Sequence, residues 1–381
     1  MTRVLAADAL RGLALFGICM VNVWYFAHPL LVSGVASPVT DTTTGDATRF
    51  VIGLVFEGKF YPLFAFLFGY SFALMREAVA REGADFERRM RRRLWGLFFI
   101  GVVHGMVFWP GDILTTYAIL GFVLLAWRPR RPVRTAAVLI GIATLFWAVV
   151  GTAWDTIDVV EDALLTVVSY QGTPGTVLAE HAGTYLSIGV TVLLGQGPTA
   201  LAMMLLGLLA ADRRLLSDPA ANAPLLRRML VVGLPVGLAG SLVYAVIMQT
   251  EATAAGDALA FGLLALTGPA LTGAYIALAL RWFARPGAGA AVMAWLTPAG
   301  RMALTNYVGQ SVLLGVVFTA YGFEQVEKRS PPAVVAVVCA IFAVQLVVSR
   351  WWMAGHAFGP LEWVLRAWTR QTRPPWRRVV T

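Results

Sequence analysis

The sequence predicts an all-α, polytopic integral membrane protein of about ten transmembrane helices, organised as a single domain over residues 1–381. Three observations predict it. The chain of 381 residues is 58% hydrophobic and only 13% charged, too little charge for the surface of a water-soluble domain of that length. A window of about 19 residues finds apolar runs near 10–30, 60–78, 94–109, 112–127, 134–154, 186–210, 229–249, 259–281, 301–321 and 332–353. Between these runs, positive and negative residues alternate from one connection to the next.

The alternation sets the expected topology. The connection after the second run carries Arg76, Arg81, Arg88, Arg89, Arg91, Arg92 and Arg93, and the one after the fourth carries Arg128, Arg130, Arg131 and Arg134. Arg213, Arg214, Arg227 and Arg228 follow the sixth, Arg281 and Arg285 the eighth. Odd-numbered connections are acidic: Asp41 and Asp46, then Asp155, Asp158, Glu161, Asp162 and Glu180, then Glu251 and Asp257. Positively charged connections stay on the inner side, so both termini are expected in the cytoplasm, the last with Arg366, Arg370, Arg373, Arg377 and Arg378. The net charge of +9 is thereby accounted for by topology, and no basic stripe or arm points to nucleic acid. Arg3 and Arg11 before the first apolar core, with Val35-Ala36-Ser37 after it, resemble a secretory signal; the run is read as a retained span. Cys19 and Cys339, both inside apolar runs, indicate neither a disulfide framework nor a thiolate metal site, and no metal is expected.

Within this frame the elements follow in order. The first run carries Asp8 and Arg11 at its start, Asn22 well inside and His28 beyond its aromatic rim. The third and fourth runs are joined by Trp109-Pro-Gly-Asp112, which predicts a tight helical hairpin with its tip outward. Gly195-Gln-Gly-Pro198 predicts a kink or break in the sixth. At a rise of about 1.5 Å per residue, Asn22 above Arg11 and His104 above Arg93 reach the same depth, roughly 16 Å. Thr116 and Tyr117 return to about that level. By rise alone Asp112 stands about 8 Å above His104, so a contact between them requires the hairpin tip to fold inward. The ninth run adds Asn306, Tyr307, Gln310 and Ser311 after Arg301.

Polar residues in hydrocarbon mark a pathway or a site, or else pair helix to helix. Bland readings stand beside functional ones: Asp112 as an ordinary helix cap, His28 as a headgroup anchor, Asn306, Gln310 and Ser311 as interhelical hydrogen bonds, and the arginines as topology signals. No Walker, G-x-S-x-G or H-E-x-x-H pattern is present.

Asp8-Ala-Leu-Arg-Gly12 with Val21-Asn22 resembles the YeiB-like membrane proteins. So do Gly101-Val-Val-His104 with Trp109 to Tyr117, Gly300-Arg-Met-Ala-Leu-Thr-Asn306-Tyr with Gln310-Ser311, and Phe358-Gly-Pro-Leu-Glu-Trp363. That family is grouped with transmembrane acyltransferases, including heparan-alpha-glucosaminide N-acetyltransferase, whose opening helix has an Arg-Gly pair and an Asn at the separation of Arg11 and Asn22. The resemblance implies transfer of an acyl group, most simply acetyl, from cytoplasmic acyl-CoA to an acceptor across a bacterial cell membrane. It implies His104 or His28 as base, Asn22 and Tyr117 as donors to the oxyanion, and Asp112 as the group that orients an imidazole or binds the acceptor. Arg11, Arg91, Arg92, Arg93, Arg301 and Asn306 are expected around the CoA moiety, and Tyr117, Gln310 and Ser311 around the substrate. Expected partners are the bilayer, acyl-CoA (acetyl-CoA) and an extracytoplasmic hydroxyl or amine acceptor (a glycan, a lipid headgroup or an exported small molecule), with a homodimer admitted and nucleic acid excluded. Two other classes fit the polar residues: a transporter or flippase, which requires two gated states and no affinity for acyl-CoA, and a scaffold without turnover.

Overall fold

The computed structural model describes residues 4–32, 39–127, 129–153, 159–250 and 253–378; Arg3, Val35 to Ser37, Arg128, Asp155, Asp158 and Glu251 lie outside them, as does the Glu161 side chain. Among the described residues every regular element is an α-helix, and the backbone closes on itself with only one isolated bridge, between His356 and Arg377. In order the helices are α1 Leu5–Ala27, α2 Pro29–Val32, α3 Thr43–Val55, α4 Phe60–Arg81, α5 Phe86–Val107, α6 Ile113–Ala126, α7 Pro132–Ala153, α8 Val159–Tyr170, α9 Pro174–Gly195, α10 Gly197–Asp212, α11 Ala223–Ile247, α12 Ala254–Phe283, α13 Ala288–Arg301, α14 Ala303–Phe318, α15 Pro331–Gly355 and α16 Pro360–Arg370.

Among the described residues, seven stretches are long and apolar enough to cross a membrane. Fewer pass on length than the ten expected because α6, α10 and α14 are short apolar helices and α5 devotes its first turns to arginines. Charge still sorts the ends. At one end Arg76 meets Asp212 at 3.5 Å, Arg370 meets Glu82 at 2.9 Å, and the Trp368 indole donates to the Arg92 carbonyl at 2.8 Å. At the other, Gln249 donates to the Asp46 carbonyl and the Ala320 amide to that of Tyr170. These contacts join the arginine-bearing connections to one another, and join Asp46 to the end of α11 and α8 to the end of α14.

Helix α1 is central, packed by α4, α12, α13, α14 and α15. Close backbone approach holds the next layer: a Cβ on Gly69 would stand 2.0 Å from the Met204 carbonyl oxygen, and one on Gly207 2.0 Å from that of Phe66. Only glycine lets α4 and α10 touch in this way, the membrane substitute for a hydrophobic drive that lipid does not supply.

Three helices break inside the apolar thickness. The break at Gln196, between α9 and α10, falls where Gly195 to Pro198 placed it. A second, at Met302, separates α14, which carries the ninth expected span, from α13 just before it. The third corrects the sequence reading: the second span begins at Thr43, not near residue 60, and is interrupted between α3 and α4 by Phe56 to Lys59, with Gly58 at φ +73°. Such a break needs its freed carbonyls satisfied. Tyr275 donates to the Val55 carbonyl at 2.9 Å, Thr272 to that of Lys59 at 2.8 Å, and the Lys59 ammonium to that of Gly53 at 2.7 Å.

Candidate functional site

The hairpin of α5 and α6 builds the site. After Val107 the amides of Phe108 and Trp109 both donate to the His104 carbonyl, at 2.9 and 3.0 Å, so the chain turns back tightly over that residue. Asp112 then caps α6, one carboxylate oxygen accepting from the Thr115 amide at 2.7 Å, and the other reaches His104 Nδ1 at 2.9 Å. The tip therefore folds inward, and Asp112 both caps α6 and bonds the His104 ring. On the far side of the ring, His104 Nε2 stands 2.9 Å from Ser311 Oγ on α14. Asp112, His104 and Ser311 form one hydrogen-bonded line, with at most 4% of any of them exposed.

The aspartate accepts only, so Nδ1 carries the hydrogen, and Nε2 is left as the acceptor of the Ser311 hydroxyl. This is the arrangement of an imidazole held ready to take a proton. Tyr307 flanks it, with ring centres 5.0 Å apart, and its hydroxyl accepts from the Ile113 amide at 3.3 Å. His104 also forms part of the wall of a cleft of about 370 Å³ between α5 and α14, lined by Phe99, Ile100, Val103, Phe108, Val308 and Leu361. Leu361 belongs to α16, which packs on α5. On α5, Arg93 lies within electrostatic reach of Arg11, Arg366 and Glu362.

The other expected residues are distributed as follows. His28 is fully buried at the far face, its Nδ1 3.0 Å from Glu327, whose second oxygen accepts from the Leu30 amide; it joins α1 to the loop after α14 and is not beside His104. Asn22 is half-buried, one turn below Tyr25 and Phe26, whose rings lie 5.2 and 4.9 Å from Trp109 of the hairpin. Arg11 is held by Asp8 and Ser71. Arg91 pairs with Glu87 on the exposed side of α5, and Arg92 offers its carbonyl to Trp368. Arg301 donates to the Ala357 carbonyl at 3.4 Å.

Asn306 donates to the Ala299 carbonyl at 3.0 Å and to Ser349 at 2.9 Å, and Gln310 to Gln345 at 3.0 Å and the Leu15 carbonyl at 3.3 Å. Of the two readings open for these amides, this is the interhelical one. Tyr117 likewise donates to the Tyr61 carbonyl.

Sequence reasoning missed three groups. His181, fully buried on α9, contacts the Val107 carbonyl at 3.2 Å and the Tyr170 hydroxyl at 3.1 Å and closes the far side of the hairpin. Tyr185 shares a hydrogen with Thr115 at 2.9 Å. Glu57 and Lys59 occupy the unforeseen break. Two charges in three residues inside an apolar stretch were the available signal. Among the described residues no cluster of side chains suits a metal ion.

Residues 210–372 match the model of the family described as protein of unknown function DUF418. Over nearly its whole length the chain is similar to the uncharacterized protein YxaH of Bacillus subtilis (strain 168), at 28% identity with 96% of this chain and 94% of the relative aligned. It is similar too to an uncharacterized 39.9 kDa protein of Bacillus acidopullulyticus, at 27% over 98% and 95%, and to uncharacterized protein YeiB of Escherichia coli (strain K12), at 26% over 98% of each. These similarities support a YeiB-like family.

Proposed function

We propose that this chain is a membrane-embedded acyltransferase that takes an acyl group from acyl-CoA on the arginine-rich, cytoplasmic side and delivers it to a hydroxyl or amine acceptor from the opposite side. The observation that carries this reading is the buried Asp112, His104, Ser311 line, with the His104 ring in the wall of a cleft formed by α5, α14 and α16, the first and last of which also carry Arg93 and Arg366. The rise from Arg93 to His104 is about 16 Å, a distance that an extended pantetheine arm spans. Phosphates held by the arginines thus leave the thioester beside the imidazole.

His104 acts as the base. The acceptor oxygen or nitrogen attacks the thioester carbonyl while its proton passes to Nε2, in the position from which the Ser311 hydroxyl now donates. The carbon–sulfur bond breaks, and the departing thiolate takes the proton from the imidazolium. Asp112 keeps the proton on Nδ1 and stabilises the cation. A low-dielectric surround strengthens each of these interactions. On this reading the protein resides in a bacterial cell membrane, consistent with the bacterial relatives.

A second reading, a transporter, is favoured by one observation: Lys59, fully buried at a break in a membrane helix, with a backbone carbonyl as its hydrogen-bond acceptor. The test separates the two. Acetyl-CoA should raise the melting temperature of the purified protein, dephospho-CoA less so and acetate not at all, and His104→Ala should fold but release no CoA. No stabilisation at millimolar acetyl-CoA refutes the acyltransferase.

A further inference from the structure

The loop from Thr319 to Ser330, between α14 and α15, breaks the charge rule of its end of the bundle. By sequence, residues 28–42, 108–112, 154–173 and 248–253, the other segments expected on the side opposite the arginine clusters, hold no lysine or arginine. This loop holds two in succession, Lys328 and Arg329, just before the membrane-length helix that starts at Pro331. Positive charge is disfavoured there, so topology does not account for them. Neither forms an ion pair among the described residues, because Glu327, the adjacent carboxylate, is taken by His28 and the Leu30 amide.

The loop places Arg329 firmly. The amides of Phe323, Gln325 and Val326 donate to the carbonyls of Val316, Val317 and Phe318 at 2.7, 3.2 and 3.0 Å, and that of Glu327 to the Ala27 carbonyl at 2.8 Å. Arg329 Nε donates to Gln325 Oε1 at 2.8 Å, which orients the guanidinium and leaves its two outer nitrogens without a partner among the described residues. Beside it lies a cavity of about 320 Å³ lined by Val317, Phe323, Gln325, Arg329, Ala333 and Val337. Its wall is polar at Gln325 and Arg329 and apolar elsewhere. Leu313, one turn before Val317 on α14, and Val344, two turns beyond Val337 on α15, are 38% and 57% exposed, so an apolar strip leads from the cavity along both helices. Val317 stands nine residues from Val308, about 14 Å along α14 and half a turn around it, so this is not the His104 cleft.

We propose that the cavity binds a glycerophospholipid of the leaflet at the His28 end, with its phosphate on Arg329 and Lys328 and an acyl chain along the strip between α14 and α15. A guanidinium fork with two free donors matches phosphate oxygens. Ser330 gives α15 no side-chain cap, so the positive end of that helix, with Ala333 in the cavity wall, adds to the same field. A free phosphate would leave the apolar wall unused, and an uncharged lipid would leave the arginine unused; a phospholipid uses both. The site stands independently of acyl transfer.

Full-length protein, delipidated in a mild detergent, is titrated with dioleoylphosphatidylglycerol, with dioleoylglycerol and with glycerol 3-phosphate, bound molecules being counted by native mass spectrometry and melting followed in parallel. Wild type is expected to retain one phosphatidylglycerol and to melt higher with it, and to retain neither of the other two at the same concentration. Lys328→Gln with Arg329→Gln, both exposed side chains, should leave the melting of lipid-free protein unchanged and weaken phosphatidylglycerol about tenfold, the loss of a charge-assisted hydrogen bond. Val337→Trp, which fills the cavity and keeps both charges, should weaken it as well. Equal retention in the charge variant overturns the proposal, as does dioleoylglycerol bound as tightly as phosphatidylglycerol, or saturation by glycerol 3-phosphate alone.

Discussion

Asp112 does two jobs that one substitution can separate. Its carboxylate caps α6 through the Thr115 amide and holds His104 Nδ1, the two bonds at 2.7 and 2.9 Å using different oxygens. Asp112→Ala removes the cap, worth about 1 kcal/mol, and leaves a buried imidazole nitrogen unpaired, worth about 1–3 kcal/mol more. A loss of about 2–4 kcal/mol is therefore expected for the alanine variant. Asp112→Asn retains an oxygen for Thr115 and nearly the same volume, so it should cost only about 1 kcal/mol.

The asparagine amide, however, faces Nδ1 with a donor. The ring must answer with the opposite tautomer, hydrogen on Nε2, which then donates to Ser311 instead of accepting from it. A base becomes a donor. CoA release should fall by about 10²- to 10⁴-fold in a protein that melts almost like wild type, because general-base catalysis is lost while the fold is kept. Melting temperature and CoA release, followed with a thiol reagent, are read on the same preparation. If Asp112→Asn turns over within a few-fold of wild type, His104 is not the base.

Three further outcomes are expected. Gly69→Ala and Gly207→Ala each drive a methyl into a carbonyl oxygen across the α4 and α10 contact, and each should destabilise by about 1–3 kcal/mol, measured as a lower melting temperature in detergent; unchanged melting would show that the helices part freely. Arg93→Gln combined with Arg366→Gln should raise the acetyl-CoA concentration needed for half-maximal rate more than it lowers the maximal rate; an unchanged requirement returns these arginines to topology alone. Burial pushes the Glu362 carboxyl above its ordinary range, against the pull of its bonds from Thr305 and Leu304. Folded protein then holds that proton more tightly than unfolded chain, so the docking of α16 is strongest below the ordinary carboxylate value and weakens as pH rises through the raised one. Limited proteolysis of the tail should accelerate across that window in wild type and stay level in Glu362→Gln; equal slopes refute the assignment.

How much of this was legible in the sequence depends on what each residue needed. Hydropathy and charge sorting suffice for the helical class and its two faces, because they concern single residues against lipid or water. The break at Gln196 was legible because Gly195, Gly197 and Pro198 weaken a helix locally. The break at Phe56 to Lys59 was not: it holds one glycine, and what sustains it is hydroxyl donation from Tyr275 and Thr272 more than 200 residues away. For the site, polarity within or beside apolar runs drew attention to His104, Asp112 and Ser311, but helical rise cannot describe a turn. It left Asp112 too high, because the double bond of Phe108 and Trp109 to the His104 carbonyl appears only once the hairpin closes. As sequence, His104 ranked ahead of His28 because it belongs to the YeiB-like pattern, and the structure adds that His28 is bonded to Glu327 across the fold.

Polarity inside the membrane therefore does not mark the site by itself; partnership does. Arg11 and Asp8, Asn306 and Ser349, Gln310 and Gln345 are as polar as anything near His104, yet each pair discharges its hydrogen-bonding capacity within the fold, and each is explained by helix association at about 1 kcal/mol or less per bond. The Asp112, His104, Ser311 line differs because its final group is a hydroxyl that any incoming hydroxyl or amine can replace without leaving Nε2 unpaired. Exchange of one donor for another costs little, whereas removal of Asp112 reverses the ring. That asymmetry, one fixed end and one exchangeable end, is what a proton-accepting site requires and a purely structural bond does not. It is also why Ser311→Ala should leave more CoA release than His104→Ala or Asp112→Asn: the acceptor itself can restore the donor that the variant lacks. Equal loss in all three variants, with folding intact, would mean that the serine hydroxyl is not exchangeable and that the acceptor does not reach His104 in this way.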